Sequence, residues 1–152
     1  MKKLPVILLF LFAGIAATAQ QRALRYSFTY DTLLAKPRML VTVSFRGDSS
    51  GHTELLLPDA WASQKELYKA VSHLEAVTPG VRIDTTADPT RRMLQHAPGA
   101  ELTLAYELRQ DWSGSFVYPK NYRAVLQRTW MQSTGYALLV KPSWDKDAQV
   151  AL

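Results

Sequence analysis

The chain has no cysteine, so its chemistry has to come from three histidines, scattered carboxylates, one serine-lysine spacing and a crowd of aromatic rings. His52, His73 and His96 stand far apart, and neither HExxH nor any other close histidine pair occurs. A zinc site draws on about three protein ligands, with two usually supplied by one local pair, so no metal is expected. Ser143 and Lys146 match S-x-x-K, in which a lysine one helical turn away activates a serine, but the companion motifs S-D-N and K-T-G are missing, as is G-x-S-x-G. Asp84, Asp88 and Asp111 fall in or beside turn-forming sequence. That is the usual setting of solvated aspartates, not of the paired carboxylates of a glycosidase. The glycines never form G-x-G-x-x-G or G-x-x-x-x-G-K, so a nucleotide has no cradle. The expectation is a non-catalytic chain with no cofactor.

The aromatic group carries more information. Trp112, Phe116, Tyr118, Tyr122 and Trp130 crowd one stretch that contains Ser113-Gly114-Ser115. Aromatic side chains bury the most area per residue, so the core is their first destination. Left exposed, they would stack against a sugar ring, a peptide or a protein partner. These five are the candidate ligand or partner surface.

The elements that must position them alternate apolar and polar residues with period two, the pattern of a strand buried on one face. Leu24, Tyr26, Phe28 and Tyr30 point one way; Met39, Val41, Val43 and Phe45 do likewise, as do Leu102, Leu104, Tyr106 and Leu108. Shorter candidates are residues 53–57, 81–85, 93–96, 123–127 and 136–140. Breaker clusters at 47–51, 79–80, 87–89 and 98–99 separate them. The pattern predicts a mainly β fold, an antiparallel β-sandwich. One helix or helical turn is expected near residues 63–72, where Ser63-Gln64-Lys65-Glu66 fits a capping box and Leu67, Ala70, Val71 and Leu74 share a helical face. Read with period two, 71–77 fits a strand equally, so extended chain is expected before Pro79.

The start of the chain reads as an export signal. Lys2 and Lys3 form a positive n-region, residues 4–15 an apolar run, and Ala17-Thr18-Ala19 a small-residue cleavage site. The expected product is a periplasmic or secreted protein cleaved after Ala19, with no membrane span left behind. It would comprise a sandwich domain over residues 20–142 and, at 143–152, a tail or the start of a missing following domain. The formal charge of +5 falls to +3 without Lys2 and Lys3, and Arg91-Arg92 is the one adjacent arginine pair. Neither makes the basic stripe that nucleic acid requires.

Three blocks in order carry a family likeness: residues 24–30, the run Leu55-Leu56-Leu57-Pro58-Asp59-Ala60-Trp61, and residues 122–126 leading to Thr134-Gly135-Tyr136-Ala137-Leu138-Leu139-Val140. Together they resemble the N-terminal domain of glycyl-aminopeptidase-like zinc metallopeptidases, a β-rich module that precedes a thermolysin-like catalytic domain. Where that family continues from its tryptophan with a Thr-Pro-Gly-Ser-Tyr type turn, this chain has Ala62-Ser63-Gln64-Lys65-Glu66. The resemblance implies a non-catalytic domain packed against a peptidase catalytic domain that this chain does not contain. The family's zinc ligands and catalytic glutamate lie in that next domain, so no catalytic residue carries over. The alternative is a standalone periplasmic binding module for a glycan, peptide or protein partner, using the five aromatics.

Overall fold

The computed structural model describes residues 23–114 and 122–145. Strands β1 (Leu24–Asp31), β2 (Arg38–Arg46), β3 (His52–Leu56), β4 (Val71–Ala76), β5 (Arg82–Thr85), β6 (Arg91–Gln95), β7 (Glu101–Arg109) and β10 (Lys141–Pro142) form two four-stranded antiparallel sheets. One has the order β1-β2-β7-β4, the other β10-β3-β6-β5. A small hairpin of β8 (Val125–Leu126) and β9 (Met131–Gln132) lies apart from both. The protein is a mainly β, sandwich-like fold, as the period-two pattern predicts.

Register explains why the pattern was decisive. Met39, Val41, Val43 and Phe45 face Leu108, Tyr106, Leu104 and Leu102 in turn, so every apolar residue of β2 meets an apolar residue of β7 on the inner face. All eight are buried, and they pack with Leu55 and Leu94 of the second sheet. A slip of one residue would turn the apolar set of the slipped strand to water, at about 1.5–3 kcal/mol for each large side chain. On the outer face a charged row runs from Asp31 through Arg38 to Glu107, Arg109 and His73. Arg38 lies 3.0 Å from Asp31 and also pairs with Glu107; Arg109 lies 2.7 Å and His73 3.3 Å from Glu107. Burial works to raise the Glu107 carboxyl, and the hydrogen bonds and charge of Arg109, with Arg38 and His73, more than reverse it. β4 carries a bulge between Ser72 and Glu75, with His73 at a φ of 51°.

His96 braces the end of the sandwich where β2 turns into β3. Its Nδ1–H donates to the Ala97 carbonyl at 2.8 Å, leaving Nε2 to accept from the Thr53 hydroxyl at 2.8 Å. Thr53 Oγ1 in turn accepts the Asp48 amide at 2.9 Å. A Cβ on Gly47 would stand 2.4 Å from the imidazole ring, so the close approach requires glycine.

Three sequence expectations are corrected. The capping box does not form: Glu66 precedes the 3-10 turn Leu67–Ala70 without capping it through its side chain, and its carboxylate pairs with Lys69 at 2.7 Å instead. Trp61 and Gln64 exchange backbone hydrogen bonds of 3.0 and 2.9 Å around Ala62 and Ser63, whose φ angles are 46° and 67°. This hairpin-like turn denies Ser63 the extended backbone an N-cap needs. Residues 136–140 do not form a strand; Gly135–Leu138 is one helical turn, α1, followed by extended chain that joins β3 as β10. Residues 123–127 yield only the two-residue β8. Contacts with the sandwich continue past Pro142: the Ser143 amide donates to the Glu54 carbonyl at 2.8 Å, and the Trp144 ring meets the Phe45 ring edge-on at 6.2 Å.

Candidate functional site

The strand directions bring several connections to one end of the sandwich. Asp31 faces Arg38 and Arg38 faces Arg109, so the β1–β2 hairpin and the exit of β7 share this end. Val71 faces Leu108, and Lys141 faces Leu56, so the link from β3 to β4 and the approach to β10 are there too. Side chains of one-sided strands point into the core, which leaves these connections to decide what this end presents.

Arg123 fastens them together. Its Nε donates to Asp111 Oδ1 at 3.1 Å and its Nη1 to the Lys65 carbonyl at 2.7 Å, while Nη2 also pairs with the Asp111 carboxylate. Both side chains are largely covered, and the Asp111 carboxylate holds the guanidinium still more firmly in its charged form. Gln110 Oε1 accepts the Leu126 amide at 3.1 Å, and the Trp112 indole donates to the Ala124 carbonyl at 3.1 Å. The Tyr30 hydroxyl donates to the carbonyls of Gln127 and Trp130, pinning the β8–β9 hairpin to the end of β1.

On this frame the rings of Trp61 and Tyr136 stack face to face, 3.9 Å between centroids and 2° from parallel. Each covers one face of the other, yet Tyr136 remains 63% exposed and Trp61 39%. Leu33 and Leu34 stand out from the β1–β2 hairpin, Leu33 at 94% exposure, and Trp130 is 44% exposed at the tip of β8–β9. Among the described residues the exposed large hydrophobics are these five and Val77, and only Val77 follows β4 to the opposite end. Large apolar side chains gathered at one end, with tryptophan and tyrosine prominent, have the composition of an interface core. Left-handed backbone at Ala62, Ser63 and Glu66, in the link that carries Trp61, costs about 1 kcal/mol or more per residue.

Of the five aromatics picked out from sequence, Trp130 belongs to this surface. Trp112 and Tyr122 are half-buried, Trp112 holding the chain together through its indole N–H. Phe116 and Tyr118 lie outside the described residues. Trp61, Tyr136, Leu33 and Leu34 escaped notice as surface residues, although each sits in a connection between strands. Among the described residues no three histidine, aspartate or glutamate side chains gather to hold a metal ion. His52 is exposed, His73 sits on the bulge and His96 lies under Gly47. No described helix is long and apolar enough to cross a membrane.

Fold and surface together define a β-sandwich with an apolar, aromatic end. No protein-family model matches the chain, and no curated protein matches it.

Proposed function

We propose that this chain is an exported, non-catalytic β-sandwich module that docks a protein partner through its apolar end. The partner envisaged is a catalytic domain of the kind that follows the related module in glycyl-aminopeptidase-like metallopeptidases. The observation that carries the reading is the gathering of Leu33, Leu34, Trp61, Trp130 and Tyr136 at one end. Its support from sequence is that two blocks of the family likeness meet there, through the stack of Trp61 on Tyr136. A standalone module for a glycan, peptide or protein is the second reading, favoured by the exposure of Trp130.

A hydrophobic fluorescent dye tests the docking surface on the purified chain. Strong binding is expected, falling severalfold when Leu33, Trp61 and Tyr136 are each replaced by Ser. The melting temperature should fall by only about 4 °C or less, because these side chains lie outside the core. Dye binding that is absent, or unchanged by the substitutions, would overturn the reading. If the substitutions leave the dye in place and Trp130→Ala alone displaces it, the second reading takes over.

A further inference from the structure

Two sheets present four edges, and three of them carry a device that discourages pairing with another chain. β4 is bulged at His73, β5 has four residues that include Arg82 and Asp84, and β10 has two and ends in Pro142, which lacks an N–H. β1 also carries charges, at Arg25 and Asp31, but it is neither short nor bulged and has no proline. It runs for eight residues, Leu-Arg-Tyr-Ser-Phe-Thr-Tyr-Asp, in unbroken register with β2, without proline, glycine or bulge. Among the described residues no backbone hydrogen bond is made along its outer edge. Such an edge is a template for one more strand.

The sequence of β1 favours one occupant. Placed antiparallel to a second β1 with Phe28 on the two-fold axis, Arg25 faces Asp31, Tyr26 faces Tyr30 and Ser27 faces Thr29. Each of these pairings occurs twice by symmetry. All the outward side chains then lie on one face, and the half-buried Tyr26, Phe28 and Tyr30 gain apolar neighbours on the other. Arg25 has no acid opposite it in its own sheet: it is exposed and faces Ser44, with Thr103 beyond. Asp31, held by Arg38 at 3.0 Å, keeps its carboxyl below the usual range through its bond from the Leu33 amide and then Arg38, and so remains an anion. The register that satisfies Arg25 is therefore also the one that centres the strand.

We propose that β1 is a homodimerisation edge, joining two copies into a continuous sheet through an antiparallel β1–β1 pair with Arg25 of each copy facing Asp31 of the other. The pair would add about eight backbone hydrogen bonds. The Arg25–Asp31 contact that sets this pairing uses none of Leu33, Leu34, Trp61, Trp130 or Tyr136, so the proposal is tested separately from the docking surface.

Sedimentation equilibrium of the purified chain over a range of concentrations tests it. The wild type should sediment as a dimer, Arg25→Lys likewise, and Arg25→Glu should raise the dissociation constant at least about tenfold by placing like charges opposite Asp31 twice. Because Arg25 is exposed, all three should melt at similar temperatures, read at a concentration where each is monomeric. A monomer at every concentration would overturn the proposal. So would a dimer that survives Arg25→Glu and is lost when Leu33, Trp61 and Tyr136 are replaced by Ser, which would place self-association at the apolar end.

Discussion

Tyr106 and Tyr26 decide where the last part of the chain runs. The Tyr106 hydroxyl donates to the Leu138 carbonyl at 2.8 Å and accepts the Val140 amide at 3.3 Å, and the Tyr26 hydroxyl donates to the Val140 carbonyl at 2.9 Å. Burial pushes both phenols well above their ordinary value of 10.0; for Tyr26 the charges of Tyr106 and Asp145 add to it. A group whose folded value is raised lends stability that is fully present below the unfolded value and is lost as pH climbs toward the folded one. Stability should therefore fall as pH rises above about 10, and Tyr26→Phe should make that fall shallower by up to about 1.4 kcal/mol per pH unit. Urea denaturation between pH 10 and 12 measures it, and parallel slopes for the two proteins would contradict the assignment. At the other end of the sandwich, Gly47→Ala should cost about 1–3 kcal/mol by forcing the His96 ring aside. In a His96→Ala background the same change should cost less than about 1 kcal/mol, and equal costs in a double-mutant cycle would rule out the ring as the cause.

Long strands were legible because their side chains answer one question, inside or outside, with period two. β1, β2 and β7 lie within two residues of their expected bounds for that reason. The links were not legible, because their shapes depend on distant partners. Residues 136–140 are a short apolar run of the kind a buried strand shows, but the Tyr106 and Tyr26 hydroxyls take up the carbonyls that a neighbouring strand would have used. Ser63 and Glu66 have the right types for a cap, and the backbone turn from Trp61 to Gln64 overrides them. The same distance dependence hid most of the surface: that Trp61 meets Tyr136 follows from a fold in which 75 positions of chain return to one end. Arg123 is the residue on which this assembly of links depends. Arg123→Ala leaves the covered Asp111 carboxylate without its guanidinium and should cost about 2–4 kcal/mol, with loss of protection from hydrogen exchange at residues 61–67. Protection unchanged in that segment would show that the links are held by other means.

As a whole the molecule divides its labour between a sealed core and an open end. Leu55, Leu94, Leu102, Leu104 and Leu108 are fully shielded between the sheets, while five large apolar side chains stand in water at one end. Stability is thus supplied without the exposed group, which leaves that group free to serve association. A dimer through β1 would give an assembly two such ends, and avidity for a partner that presents two sites. The most direct test is the native size of the protein in cells that make it, compared with a variant carrying Ser at positions 33, 61 and 136. The docking account predicts that the wild type runs in an assembly larger than two copies of the chain and that the variant runs at the size of one or two copies. A wild type no larger than the variant would contradict it.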